Sequence, residues 1–388
     1  MPAAEPYTTK AGVVKNPGSL GITWDYLAGT NGETGFGSKS TAEQVSAGWD
    51  GRGRVALITG AATGLGYESA RVLAQRGAHV VVAVRSQARA EETASRLRRD
   101  VPGAQVTPLE LDLSSLASVR QAAADFKRTG LPLHILLLNA GVMACPMGRS
   151  RDGFELQWAT NHLGHFALTT RLLDVMIASA SAPDTAQQGS GGSGGGMEGR
   201  VVVLSSMGHH LFQVPGGINF EALRSGADYE PFKAYGVSKL SNVLFARELQ
   251  RRLAGKPVVA VCCHPGVIFE TELSRHMNGT AARKAATEGA GASPSSPSSG
   301  CTWKQRLNDM GMAVTAFLFK PIAKSVQQGA ATQVLLATSA RVVPGEYYSD
   351  CNPAPSSAAS LDGELGARLW AFSEEAVRQA EQPEQVQQ

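Results

Sequence analysis

Tyr235 and Lys239 stand four residues apart in the run Ala-Tyr-Gly-Val-Ser-Lys. On a helix that spacing puts a phenol and an ammonium on one face, within reach of each other. An isolated tyrosine, with a pKa near about 10, is a poor base at neutral pH, whereas a cation close by favours the phenolate. The pair is therefore expected to move a proton at physiological pH. So short a pattern recurs by chance roughly once in a chain this long, so it needs a nucleotide site and a polar partner upstream. Both are present.

The nucleotide site is Val55-Ala-Leu-Ile-Thr59-Gly60-Ala-Ala-Thr63-Gly64-Leu65-Gly66, followed by Tyr67-Glu-Ser-Ala-Arg-Val-Leu-Ala. A β-rich apolar run leads into three glycines and then a helical pattern with Val72 and Leu73 inward. In that context a glycine loop lets backbone N–H groups approach a pyrophosphate at a helix N-terminus. The second apolar run ends His79-Val-Val-Val-Ala-Val-Arg85-Ser86. An acid at this place binds the ribose 2′-hydroxyl of NAD, whereas an arginine accommodates a 2′-phosphate. Arg85 stands there without an acid beside it, which favours NADP(H).

The elements that position these residues are legible as alternating runs. Those at 55–58, 79–84, 106–111, 135–138, 201–204 and 258–262 are short and continuously apolar. Strands buried on both faces of a parallel sheet read that way. The expected fold is α/β, a doubly wound parallel sheet of Rossmann type in a single domain, with ligands at the carboxyl ends of its strands. A seventh strand is expected near Gly345 to Ser349. The division is residues 1–50 as a mostly irregular extension, 51–378 as the catalytic domain, and 379–388 as a tail.

With 388 residues and 43% hydrophobic content, the chain can bury a sizeable core. Two low-complexity tracts, 179–199 and 278–300, are rich in Gly, Ser, Ala and Pro. Neither carries enough apolar area to offset the entropy of ordering, so both read as flexible surface insertions. The net charge of +3 is small and dispersed, which argues against nucleic-acid binding. Arg96, Arg98 and Arg99 read as a solvated helix face.

The five cysteines form no ligand spacing and read as buried free thiols, with Cys145 the one placed to be redox-active. His162, His165, His209, His210 and His264 read as structural, and no metal site is expected. No run of eighteen apolar residues exists, so no transmembrane helix is expected. Met310 to Phe319 reads as a lid helix compatible with peripheral membrane contact, and Trp303-Lys-Gln-Arg-Leu extends it as a basic amphipathic stretch. No secretory or transit signal is evident at the N-terminus.

Seven motifs in one order make the chain resemble the short-chain dehydrogenase/reductase family over roughly Arg54 to Val377. They are Thr59-Gly-x-x-x-Gly-x-Gly66, Asp112-Leu113, Asn139-Ala140-Gly141, Asn161-His-Leu-Gly-His-Phe166, Ser205-Ser206, Tyr235-x-x-x-Lys239 and His264-Pro-Gly266. Phrases such as Leu111-Asp-Leu-Ser-Ser-Leu116 and Tyr347-Tyr-Ser-Asp-Cys-Asn352 resemble the retinol-dehydrogenase-like branch. Within it, the chain is most similar to chloroplast inner-envelope members associated with the protein-import translocon.

The resemblance implies roles. Thr59, Gly60, Gly64 and Gly66 shape the cofactor loop, and the Leu65 amide donates to the pyrophosphate. Asp112 and Leu113 flank the adenine, and Asn139, Ala140 and Gly141 line the groove. Tyr235 is the general acid/base, Lys239 holds the nicotinamide ribose and lowers the tyrosine pKa, Ser206 binds the substrate oxygen, and Asn161 anchors a relay water. Pro265, Gly266 and Thr271 cover the nicotinamide, although Phe269-Glu270 spaces Thr271 further along than the family places it.

The function expected is an NADP(H)-dependent oxidoreductase interconverting an aldehyde or ketone and the alcohol of a lipophilic small molecule. The competing reading is an NADP(H)-binding redox sensor at a chloroplast-envelope complex. The light-dependent protochlorophyllide reductase branch shares the core motifs but fits the residues around Cys145 less well. The resemblance also allows a homo-oligomer, and a chloroplast-envelope location with the cytoplasm as the alternative.

Overall fold

The structure is a computed structural model, and it describes residues 29–182, 198–268 and 323–381. Its frame is an eight-stranded sheet in the order β3-β2-β1-β4-β5-β6-β7-β8. The strands are β1 Val55–Thr59, β2 His79–Val84, β3 Val106–Glu110, β4 Ile135–Leu138, β5 Gly199–Leu204, β6 Val258–His264, β7 Tyr347–Ser349 and β8 Asn352–Pro353. All neighbours are parallel except β8, which pairs antiparallel with β7. The order reverses between β1 and β4, and such a switch point opens a crevice outside the carboxyl ends of those strands.

The strand residues alternate between two cores, as the two-residue period of a strand requires. Val55, Leu57, Val81, Leu136, Leu138, Val201 and Val203 face one layer. Ala56, Ile58, Val80, Val82, Ile135, Leu137 and Val202 face the other. Seven longer helices cover the sheet: α1 Gly64–Gln75, α2 Gln87–Asp100, α3 Leu116–Arg128, α4 Gly164–Ser181, α5 Pro231–Arg252, α6 Ala331–Thr338 and α7 Gly363–Glu381. Residues of α3, α4, α5 and α7 fill the first core, and those of α1 and α2 the second. α5 starts with Pro231, whose missing N–H costs nothing in a first turn.

The six expected parallel strands are all present, with small shifts in their ends. β6 runs on to His264 and β5 begins at Gly199, because both extend the ladder that pairs Gly199 with Val258 and Leu204 with Cys263. The seventh strand lies within the expected window, whereas β8 is too short and too polar to show a strand pattern.

The tract 179–199 is not wholly an insertion. Ser179 to Ser181 complete α4, and the Ser179 hydroxyl accepts the Leu133 N–H at 2.9 Å. Residues 183–197 lie outside the described residues, as do the tract 278–300, Met310 to Phe319, Trp303 and Thr271.

Residues 29–50 carry more structure than an irregular extension. A one-turn helix, Ala42–Val45, opens with a capping box between Thr41 and Gln44. Ala42 and Val45 pack with Val72 of α1 and Val334 and Leu335 of α6. Thr34 donates its N–H and hydroxyl to Asn352 Oδ1, and Asn352 donates to the Phe36 carbonyl. A helix so short leaves little periodic signal, and its partners lie in other helices well separated along the chain.

Candidate active site

Three glycines build the loop at the end of β1. Gly60 and Gly64 have φ of +67° and +54°, in the left-handed region that disfavours side chains. A Cβ on Gly66 would lie 2.3 Å from the Gly60 carbonyl oxygen and 2.5 Å from Asn139 Nδ2. Thr63 caps α1 with extended backbone but makes no side-chain cap bond. The N-terminal amides of this twelve-residue helix are therefore presented to the crevice without a side-chain acceptor.

Thr59 joins this loop to β4. Its hydroxyl accepts the N–H groups of Asn139 and Ala140, each at 3.0 Å, and Asn139 Nδ2 donates to the Thr59 carbonyl at 2.9 Å. With both acceptor positions used, the Thr59 proton goes to His165 Nε2 at 2.9 Å, and His165 Nδ1–H donates to the Asn161 carbonyl. Asn161 lies in the π-helical turn Ala159–Leu163 ahead of α4. Its side chain accepts from Val142 N–H and donates to the Val142 carbonyl and the Ser238 hydroxyl. Gly141 keeps the path between groove and Lys239 open, for a Cβ there would sit 3.1 Å from Asn161 Oδ1 and 3.5 Å from Lys239 Nζ.

Arg85 is exposed at the end of β2, next to Ser86, the cap of α2. Asp112 closes a tight turn in which its Oδ1 accepts from both the N–H and the hydroxyl of Ser114. Leu113 is buried, and its carbonyl approaches Gly164 so closely that a Cβ there would lie 2.4 Å away. Gly266 has φ of +94° and packs on the Lys324 side chain, beside half-buried Pro265. Lys324 in turn pairs with Asp350.

The structure brings Ser206, Tyr235 and Lys239 together at the carboxyl end of β5. Tyr235 and Lys239 are 3% and 4% exposed, and the Lys239 ammonium lies 5.7 Å from the centre of the tyrosine ring. The Ser206 hydroxyl neighbours the phenol and accepts the Gly208 N–H at 3.1 Å. Its neighbour Ser205 is buried and donates instead to the Lys239 carbonyl at 2.8 Å. The two adjacent serines thus face different ways, as residues at a strand end do.

The protonation states differ from the sequence-based expectation. Burial pushes Tyr235 up to about 12, against a smaller opposing influence from Ser206. Burial also brings Lys239 down to about 8. The ammonium is directed to the Leu204 carbonyl at 3.1 Å rather than to the phenol, so desolvation outweighs the cation. Tyr235 is therefore a phenol throughout the neutral range.

Some site residues left no signal in the sequence. Arg96, expected on a solvated face, donates to the Ala62 carbonyl in the glycine loop and lies 3.7 Å from the centre of the Tyr67 ring. Gln333 from α6 donates to Leu65 and Ser69 beside the same loop. Cys145 is 4% exposed, and its carbonyl accepts from Tyr229, so its thiol lacks the exposed setting of a reactive cysteine. Burial pushes Cys262 up to about 12 and Cys351 up to about 11, as inert core thiols. An apolar lip starts beside the phenol: Phe212, next to the Gly208 that touches the Tyr235 ring, tilts against Phe232 with ring centres 5.1 Å apart, and Leu211 and Phe232 are exposed.

No helix among the described residues is long and apolar enough to cross a membrane. The chain is 38% identical to the short-chain dehydrogenase TIC 32 B, chloroplastic, of Brassica napus, covering 89% of this chain and 96% of that one. It is 37% identical to human retinol dehydrogenase 12, covering 83% and 85% of the two chains. The crystal structure of an uncharacterized protein from Mycobacterium paratuberculosis superposes with a TM-score of 0.59 at 32% identity, covering 88% and 98%. The short chain dehydrogenase family pattern matches residues 54–282, and with this fold and these relatives the chain belongs to the short-chain dehydrogenase family of oxidoreductases.

Proposed function

We propose that the protein is an NADP(H)-dependent reductase of lipophilic aldehydes or ketones, able to run in reverse on the alcohols. The observation that carries this reading is the buried Ser206–Tyr235–Lys239 set between the glycine loop and an apolar lip of Leu211, Phe212 and Phe232. The residues fit a dinucleotide: left-handed glycines, an uncapped helix N-terminus and a groove left open by Gly141 form a cradle that side chains would fill. When bound, the reduced nicotinamide supplies the hydride.

The chain's own residues do the rest. The amides at Leu65 and Gly66 face the pyrophosphate, and Arg85 meets a 2′-phosphate. Asp112 and Leu113 border the adenine, Asn139 to Gly141 the groove, and Pro265 and Gly266 the nicotinamide. Lys239, charged below about pH 8, attracts the ribose hydroxyls. Ser206 donates to the substrate oxygen while Tyr235 gives it the phenolic proton, so developing charge is neutralised without a metal. Asn161 contributes by holding Val142 and Ser238, which keeps the groove and α5 in register.

A titration of tryptophan fluorescence with NADPH and NADH, followed by a panel of lipophilic aldehydes read at the nicotinamide absorbance, tests the reading. NADPH binding at least tenfold tighter than NADH, with oxidation on some aldehyde, is expected. Arg85→Asp should remove most of that preference, by about 1–2 kcal/mol of lost charge-assisted bonding. No turnover on any carbonyl would overturn the reductase reading. Gly66→Ala should weaken NADPH binding about 10- to 100-fold, because the new methyl must displace fixed backbone; unchanged binding would place the nucleotide elsewhere.

A second reading, an NADP(H) sensor at a chloroplast-envelope complex, draws on the similarity to TIC 32 B. A sensor has no need of the Ser206–Tyr235 pair, which is why catalysis is preferred. Tight NADPH binding with no turnover would favour the sensor, with association to envelope components depending on the cofactor's oxidation state.

A further inference from the structure

The peptide group between Ser206 and Met207 is held on both of its polar atoms by imidazoles. Its carbonyl accepts from His209 Nδ1 at 2.5 Å, and its N–H donates to His264 Nδ1 at 3.3 Å. These partners settle both tautomers, because a carbonyl only accepts and an amide N–H only donates. His209 carries its proton on Nδ1, and its Nε2 accepts the Ser357 N–H at 3.3 Å. His264 carries its proton on Nε2, a buried nitrogen that makes no hydrogen bond among the described residues.

Each ring is itself immobilised. His264 ends β6, paired with Ser349 of β7. His209 is 1% exposed and packs edge-on against Tyr347, with ring centres 5.0 Å apart, while His210 flanks it at 4.1 Å. The peptide so gripped sets ψ of Ser206 and φ of Met207, and hence the direction of the Ser206 side chain. That side chain lies beside the Tyr235 phenol, and the next glycine, Gly208, touches the same ring: a Cβ there would be 2.9 Å from Tyr235 Cε1.

We infer that His209 and His264 are positioning residues, a pair of opposite-tautomer imidazoles that clamp the Ser206–Met207 peptide and so aim the Ser206 hydroxyl at the reacting oxygen. The inference rests on the reductase reading for its catalytic consequence, but not for the clamp itself. Burial holds both rings neutral, each brought down to about 3, so both bonds persist across the physiological range.

Side-chain geometry supplies the test. Asparagine places an amide near the Nδ1 position of histidine, whereas glutamine places it near Nε2. His209→Leu and His264→Leu should each lower kcat/KM for carbonyl reduction by 10- to 100-fold, the scale of a misplacement of about 1 Å. NADPH affinity should fall far less than kcat/KM, since the clamped peptide carries Ser206 and not the glycine loop. His209→Asn and His264→Asn should recover most of the loss, and His209→Gln should not. Leucine variants that keep kcat/KM within twofold, or a His209→Gln enzyme as active as His209→Asn, would overturn the clamp. Where a leucine variant does not fold, the asparagine–glutamine comparison decides alone. Hydrogen exchange at the Met207 amide reads the clamp without any substrate: it should quicken at least tenfold in His264→Leu and slow again in His264→Asn. Unchanged protection in His264→Leu would overturn the clamp whatever the turnover, whereas a wild-type protein inert on every carbonyl would overturn only the reductase reading.

Discussion

Tyr235→Phe lowers kcat/KM for NADPH-dependent carbonyl reduction by about 10²- to 10⁴-fold, the usual contribution of a positioned acid. The substitution removes one oxygen and leaves the ring, its contact with Gly208 and its place on α5 unchanged. The Ser206 hydroxyl keeps its bond from the Gly208 N–H, so stability should fall by no more than about 1 kcal/mol. NADPH affinity should stay within about twofold of wild type. Steady-state kinetics beside a fluorescence titration would separate the two effects, and turnover within fivefold of wild type would remove Tyr235 from the chemistry.

The same site predicts the pH profile of kcat/KM for reduction. The phenol, pushed up to about 12, remains protonated throughout the accessible range. Lys239, brought down to about 8, loses its charge as pH rises through that value. The rate should be flat near neutrality and decline above about pH 8, and Lys239→Met should abolish that limb along with most of the rate. A limb beginning near the ordinary lysine pKa would show that the ammonium is not desolvated as the fold implies.

The second large effect is acid lability. His162, His209 and His264 are brought down to about 3 and His165 to about 4, in each case mainly by burial. The unfolded chain binds protons on these rings as pH falls through about 6.5, and the folded protein does not, so stability falls with pH across that window. The contribution is whole above about pH 6.5 and is lost progressively down to the folded values. At pH 5 each ring costs about 2 kcal/mol and the four together on the order of 8, comparable with the whole stability of an ordinary domain. Urea unfolding midpoints should drop steeply between pH 7 and pH 5, and the protein should unfold near pH 4 to 5 in the absence of denaturant. A midpoint that changes little down to pH 5 would mean that these histidines are charged in the folded state.

These histidines also mark what could be read from the chain and what could not. The parallel sheet was legible because its strands are buried on both faces, so each is a continuous apolar run such as Ile135 to Leu138 or Val201 to Leu204. The positions of Thr59, Gly60, Gly64, Gly66, Asn139, Tyr235 and Lys239 followed from local spacing, because each works through the strand end or helix turn that carries it. β8 and the docked segment around Ala42 escaped notice for the opposite reason. Each is too short to have a period, and its stability comes from distant partners such as the Thr34–Asn352 bonds.

What the chain determined by itself is the order of strands and helices, the glycine loop and the helical pairing of phenol and ammonium. All of these depend on backbone preference and side-chain periodicity within a few residues. Tertiary structure alone decided the carbonyl toward which Lys239 turns and the upward rather than downward shift of Tyr235. It also recruited Arg96 to the glycine loop and His209 and His264 to one peptide. Those outcomes depend on burial and on contacts across tens to hundreds of residues, since desolvation and hydrogen-bond partnership belong to the packed molecule and not to any stretch of its chain.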